Sequence, residues 1–214
     1  MLRYTNSNSL LSAIEESLPD NNDVNNSDVQ MKLATHFYSL DEVIKISKQD
    51  NLNYNTWNLI GNSFRNYEKY DLAESAFLKS IELKKDNAEP YSNLQSLYLK
   101  KGDFEKYEDI YQKGMANAYP KYYIVFQDGR YQYQKGDYEM AYSAALEVLT
   151  AAKMQDEGAW VLGVLSSFYM AREAENDEKK LEYYNQANDM LEKGLFVYPE
   201  SAELKRLKSK YFED

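Results

Sequence analysis

The chain has 214 residues, a formal net charge of −10 and an isoelectric point near 4.8. That charge excludes nucleic acid as an expected partner, because the phosphate backbone would be repelled. Apolar runs stay below the eighteen or so residues of a membrane helix, and the N-terminus lacks a long apolar core. Cysteine is absent, which excludes disulfides and thiolate metal sites. We therefore expect a cytoplasmic protein with no membrane partner.

The first part of the chain is polar. Residues 1–27 are rich in Asn and Ser, and we predict a mobile tail with one short helix at Ser9–Leu18. Residues 28–53 follow with two amphipathic segments, "SDVQMKLATHFY" and "SLDEVIKISKQ". The second begins with a capping box from Ser39 to Glu42, which predicts a helix start.

From Tyr54 onward the chain repeats itself with a period of 34 residues. The stretch "KGDFEKY" at Lys101 returns as "KGDYEMA" at Lys135. The glycine accepts a left-handed turn and the aspartate caps the helix that follows, so each copy predicts a tight bend between two helices. The aromatic residues that follow the bend keep the same register at Tyr70, Phe104 and Tyr138.

The packing positions of the first 34-residue repeat line one face of each helix. They are Trp57, Ile60, Gly61, Phe64, Ala73, Phe77 and Ser80. An aromatic, Leu-Gly, Tyr, Ala, Phe, Ala pattern at this period is typical of tetratricopeptide (TPR) repeats, and the chain resembles that family. The resemblance implies an all-α fold, an α-solenoid of TPR helix-turn-helix repeats, with about four full repeats and one degenerate N-terminal repeat.

The fourth repeat is longer than the others. Its second-helix alanine, Ala187, lies 46 residues after Ala141, twelve more than the period. We predict two lengthened helices joined by a turn at Asn176-Asp177. The predicted bounds are 1–27 for the tail, 28–53 for the degenerate repeat, 54–87, 88–121, 122–155 and 156–199 for the repeats of the array 54–199, and 200–214 for a C-terminal capping helix.

Four residues depart from the family pattern, and the first is Lys85, which replaces the family Pro. Tyr107 stands where Ala is usual, and Asp128 and Gln132 stand where the family has apolar residues. Asp128 and Gln132 make the first helix of the third repeat the weakest match.

In TPR arrays the first helix of each repeat lines a concave face, and the residues not used for packing are turned toward it. Here that face is rich in amides, which can both donate and accept hydrogen bonds with the backbone of an extended peptide. The alternative is an ordinary solvated helix face. The candidate partner-binding residues are Asn58, Asn62, Arg65, Asn66, Asn93, Ser96, Lys100, Gln127, Arg130 and Gln134.

The fourth repeat offers an apolar version of this face. Trp160, Val164 and Phe168 fall on its inward side, on a helix that is apolar nearly all round and so is expected to be buried. Either the C-terminal helix covers these residues or a partner contacts them. The C-terminal helix is favoured because it follows closely in the sequence.

Motifs that could support catalysis or metal binding are few. His36 is the single histidine, no glycine-rich phosphate loop occurs, and the serines have no base to activate them. We therefore expect no cofactor, no metal site, no catalytic residue and no enzyme activity.

The residues also bear on one known binding mode of the family, the clamp for a terminal carboxylate. Members that clamp the acidic tail of heat-shock chaperones use two Asn and three cations. Asn62 and Asn93 match the Asn positions, but Asn58, Tyr123 and Gln127 fill the cationic ones. We expect no carboxylate clamp of this kind, because the attraction for a terminal carboxylate is largely missing.

The sequence therefore predicts a non-catalytic scaffold or adaptor that binds a peptide segment or partner subunit in its groove. The alternative is a regulatory receptor domain for a short signalling peptide. An accessory subunit of an enzyme is a third, less favoured reading.

Overall fold

The computed structural model describes residues 27–35 and 38–213, and these residues form eleven α-helices. Most of the predicted tail, the helix predicted at Ser9–Leu18 and His36 lie outside the described residues. The helices are α1 Ser27–Ala34, α2 Leu40–Ile46, α3 Tyr54–Asn66, α4 Tyr70–Leu83, α5 Ala88–Lys101, α6 Phe104–Asn117, α7 Tyr122–Lys135, α8 Tyr138–Ala151, α9 Glu157–Glu173, α10 Asp177–Val197 and α11 Ala202–Tyr211.

The described residues divide into two compact units, those up to Lys101 and those from Gly102 onward, called here the N-terminal and C-terminal units. The boundary falls inside the segment 88–121 that the sequence predicts as one repeat. In the N-terminal unit α3 packs against α4, and α4 against α5. In the C-terminal unit α8 packs against both α7 and α9, and α9 against α10. The all-α, helix-turn-helix character that the sequence predicts is confirmed.

The bends before α6 and α8 have the predicted chemistry. Gly102 and Gly136 adopt left-handed backbone with φ of 70° and 86°. Asp103 and Asp137 accept hydrogen bonds from backbone N–H groups three residues later, at 3.2 and 3.1 Å. These side chains satisfy donors that the first helical turn leaves without a partner.

The bend before α4 has the same backbone without these residues. Glu68 is left-handed at φ 57°, a conformation that strains a side chain with a Cβ. Lys69 at the N-cap has φ −88° and ψ 66°, close to the −83° and 77° of Asp137, but makes no side-chain cap. The backbone geometry at this bend is therefore the same as at the other two bends, but the side-chain cap that stabilises those bends is missing.

Close helix contacts depend on two glycines. A Cβ on Gly61 would lie 2.5 Å from the Phe77 ring, and one on Gly129 would lie 2.7 Å from the Ala144 Cβ. Both distances are too short for real atoms, so a larger residue would force the helix pairs α3–α4 and α7–α8 apart.

The insertion in the fourth repeat lengthens both of its helices, as the sequence predicts. Helix α9 has 17 residues and α10 has 21, whereas α7 and α8 have 14 each. Asn176 caps α10 by accepting a hydrogen bond from the Lys179 N–H at 2.9 Å.

Candidate functional site

Three of the candidate partner-binding residues are joined by hydrogen bonds in the N-terminal unit. Asn93 Nδ2 on α5 donates to Asn58 Oδ1 on α3 at 3.0 Å. Asn58 Nδ2 donates in turn to Glu89 Oε2 at 3.0 Å. Arg65 Nη1 donates to Asn93 Oδ1 at 3.2 Å. These four side chains link the two first helices of consecutive repeats in one continuous chain.

Burial separates their roles. Asn58 is only 2% exposed, so it lies beneath the surface and does not offer its amide to a partner. This corrects its assignment as a contact residue: it orients Asn93 instead. Asn93 and Arg65 are half-buried. The network therefore fixes the amide of Asn93 at the surface in one orientation.

Asn62 lies one turn after Asn58 on α3 and differs from it in its partners. Its Oδ1 is buried and has no hydrogen-bond partner among the described residues. A buried acceptor without a partner is unfavourable, but Asn62 as a whole is half-buried and not enclosed like Asn58. Ser96 is half-buried and Asn66 is exposed. We call Asn62, Arg65, Asn66, Asn93, Ser96 and Lys100 the amide face.

Lys100 lies at the end of α5. Its Nζ is 4.9 Å from the centroid of the Tyr70 ring. A hydrogen bond with the Tyr70 hydroxyl raises the pKa of Lys100 above its ordinary value. The exposed ammonium group is therefore held near the start of α4.

The C-terminal unit carries the remaining polar candidates on α7. Gln127 is half-buried, while Arg130 and Gln134 are exposed. Arg130 Nη1 donates to Gln127 Oε1 at 3.2 Å across one helical turn. These side chains lie on one side of α7 because they are spaced by three and four residues.

Two departures from the family pattern compensate each other in the same unit. The fully buried Tyr107 donates its hydroxyl to Asp128 Oδ1 at 3.0 Å, and Gln132 Nε2 donates to the same oxygen at 3.3 Å. Burial raises the pKa of Asp128 above its ordinary value, although these two hydrogen bonds work in the opposite direction. The large Tyr107 and the polar Asp128 are therefore one structural pair.

The apolar candidates of the fourth repeat are covered within the C-terminal unit. Trp160 is 4% exposed and Val164 is fully buried, in a core that includes Leu204 and Leu207 of α11. Phe168 is half-buried, with its ring centroid 4.3 Å from that of Tyr211. Of the two possibilities left open by the sequence, coverage by the C-terminal helix is the one observed. Trp160 and Val164 are thus core residues, and of the three possible apolar contacts only Phe168 keeps partial exposure.

Sequence reasoning missed Glu89, the acceptor at the end of the amide network. The available signal was its position four residues before Asn93 on a predicted helix, which places both on one side. It also missed Phe196, an exposed aromatic residue near the end of α10, because its exposure depends on how the surrounding helices pack.

Metal-ligand clusters and membrane-spanning helices are both absent from residues 27–35 and 38–213. No cluster of three or more acidic or histidine side chains has the arrangement of a metal site there. None of the helices in these segments has the length and apolar character needed to span a bilayer.

Comparison with known proteins identifies the fold. No protein-family model matches the chain, and no curated protein matches it significantly. Among solved structures it is similar to the APC/C hetero-tetramer Cut9-Hcn1, with a TM-score of 0.60, 19% identity, and coverage of 86% of this chain and 36% of that one. The chain thus spans about a third of that relative.

Two smaller structures match over almost their full length. YrrB, a TPR protein with an unusual peptide-binding site, has a TM-score of 0.53 and 18% identity, covering 94% of this chain and 98% of that one. PilW, a type IV pilus biogenesis factor, has a TM-score of 0.51 and 17% identity, covering 85% and 97%. These neighbours are TPR proteins, and the chain has the TPR fold that its sequence pattern predicts.

Proposed function

We propose that this chain is a non-catalytic interaction scaffold, and that its amide face binds an extended segment of a protein partner. The observation that carries this proposal is the hydrogen-bonded chain from Arg65 through Asn93 and Asn58 to Glu89. It holds the half-buried amide of Asn93 in a fixed orientation before a partner arrives, which lowers the entropy lost on binding.

The chemistry of the amide face favours backbone over side-chain recognition. The half-buried Asn62 and Asn93 carry amides that can both donate and accept, and Asn93 Nδ2 has a second hydrogen besides the one it gives to Asn58. An extended peptide presents alternating N–H and C=O groups, which match such donors and acceptors. Arg65 and Lys100 add two cations, which favour a segment that is neutral or weakly acidic.

The polar side chains of α7 extend the proposal to the C-terminal unit. Gln127, Arg130 and Gln134 combine amides with a cation, like the amide face. We assign these three side chains to a second contact surface, which would bind the same kind of extended peptide segment as the amide face. YrrB supports this class of function by analogy, since it is a TPR protein with an unusual peptide-binding site.

Quantitative affinity capture from the native host tests the proposal. The Asn62→Ala/Ser96→Ala variant removes contact groups and leaves the Asn58–Asn93 network intact. We expect recovery of the main partner to fall by about tenfold or more, the effect of losing central contacts. The matched control is Asn185→Ala/Ser143→Ala, which removes the same side-chain types from exposed positions on α10 and α8.

Equal recovery with wild type and the Asn62→Ala/Ser96→Ala variant would exclude the amide face as the binding site. Circular dichroism of each variant shows that it is folded before capture.

A further inference from the structure

An apolar groove of 420 Å³ lies in the C-terminal unit, between the loop after α8 and the end of α10. Its walls are Met154, Trp160, Phe196 and Val197, with Glu192 and Lys193 at the rim. Phe196 is 88% exposed, the largest exposed fraction among the big apolar side chains of the described residues. An exposed aromatic ring beside an apolar groove is a feature of interaction surfaces.

A hydrogen bond holds the backbone of the loop that lines the groove. Trp160 Nε1 donates to the Met154 carbonyl at 3.1 Å, which ties α9 to the loop before it. Lys153 and Met154 both have left-handed backbone, with φ of 51° and 63°. Such strain in two consecutive non-glycine residues persists only where the surroundings hold it. Here it leaves the flexible Met154 side chain 46% exposed at the groove, where it can adapt to an inserted ring.

We propose that the occupant of this groove is Phe196 of a second copy of the chain. The same patch carries a protruding ring and, beside it, an apolar hollow. A two-fold axis next to Phe196 would therefore seat each ring in the groove of the other copy, which is the self-complementary geometry of a symmetric dimer. The two phenyl rings would meet near the axis in an offset or edge-to-face contact.

Charges at the rim fit the same symmetry. Glu192 and Lys193 are adjacent and of opposite sign, so a two-fold axis pairs Lys193 of one copy with Glu192 of the other. Their present partners, Lys208 for Glu192 at 3.1 Å and Asp189 for Lys193 at 2.6 Å, are exposed side chains. Exposed ion pairs contribute little, so they exchange readily. A local pairing of this kind also offsets the repulsion between two copies that each carry a net charge of −10.

The contact is small. One ring and one groove per copy give less than the roughly 800 Å² per partner of a standard interface, so the dimer should be weak and form at about 10–100 µM. It is independent of the amide face, which lies in the other unit.

Sedimentation and light scattering of the full chain test the proposal from about 5 to 500 µM, a range that brackets such an affinity. We expect the wild-type mass to rise from 25.0 kDa toward twice that value. Phe196→Ala should raise the dissociation constant by about tenfold or more. Leu181→Ala, which truncates another exposed apolar residue of α10, is the matched control and should dimerise like wild type.

Charge reversal distinguishes a two-fold contact from any other association. Lys193→Glu and Glu192→Lys should each dimerise more weakly than wild type, because each places like charges together twice. A mixture of the two single variants, and the Glu192→Lys/Lys193→Glu double variant, should recover dimer. A wild-type chain that stays monomeric throughout, Phe196→Ala that dimerises normally, or a mixture without recovery would each overturn the proposal.

Discussion

Helices α3 and α5 of the N-terminal unit and helix α9 of the C-terminal unit use corresponding sides in opposite ways. In the N-terminal unit, α3 and α5 carry amides joined by hydrogen bonds, and most members of the amide face are at least partly exposed. In the C-terminal unit, the corresponding side of α9 carries Trp160 and Val164, both buried. One side is polar and accessible, and the other is part of a core.

The difference comes from the element that follows. Helix α11 places Leu204 and Leu207, both fully buried, in the same core as Trp160. A repeat array needs such a cover because the apolar face of its last repeat has no further repeat against it. A position within the repeat therefore does not decide whether a residue contacts a partner. Coverage by the next helix decides it.

Trp160→Ala would break the covered side and has the largest expected effect. Removal of a buried Trp leaves a cavity and costs about 3–5 kcal/mol of unfolding free energy. Urea unfolding followed by circular dichroism measures it. Phe196→Ala, an exposed aromatic of the same unit, is the control and should change the monomer's stability by less than about 0.5 kcal/mol. A loss below about 1 kcal/mol for Trp160→Ala would contradict its assignment to the core.

Asn58→Ala would break the polar side and has an intermediate effect. The substitution leaves Glu89 and Asn93 each without one hydrogen-bond partner, at a cost of about 1–3 kcal/mol. Asn62→Ala should cost less than about 0.5 kcal/mol, because no hydrogen bond to its Oδ1 is lost. A double-mutant cycle of Asn58→Ala and Asn93→Ala measures the coupling between the two amides. Strictly additive losses would show that the network is not cooperative.

Asp128→Asn adds a second test within the C-terminal unit, since Asp128 is a half-buried carboxylate on the first helix of the third repeat. Burial raises its pKa, so the folded state binds this proton more tightly than the unfolded state does. The stability that this proton provides is present at low pH and is lost as pH rises from the unfolded value near 3.9 through the folded pKa. Asparagine remains neutral and can still accept from Tyr107.

We therefore expect Asp128→Asn to match wild type near pH 4 and to become the more stable chain as pH rises to 7. Urea unfolding at several pH values measures the difference. Asp109→Asn, at an exposed carboxylate of α6, should show no such growth in stability. A difference that is constant with pH would refute the raised pKa of Asp128.

Much of the fold is predictable from local residues. Gly102 and Gly136 mark bends because only a left-handed backbone fits there, and the 34-residue register places each helix. Asp128 looks like an error in that register, since its partner Tyr107 lies 21 residues earlier and no local pattern connects them. Asn58 looks like a contact residue for a similar reason: its burial depends on Glu89 and Asn93 from another helix. The spacing of residues predicts which side of a helix they occupy, but only the packed structure decides what covers that side.

The bend at Glu68-Lys69 has a consequence for motion. Its backbone matches the bends at Gly102 and Gly136, but Glu68 is strained and Lys69 provides no cap. Opening the first turn of α4 therefore gives up less than opening the capped turns of α6 or α8. Amide protons at the start of α4 should exchange with solvent through small, frequent fraying events that the other two bends suppress. Since Tyr70, the neighbour of Lys100, is the first residue of that turn, the fraying would reach the edge of the amide face.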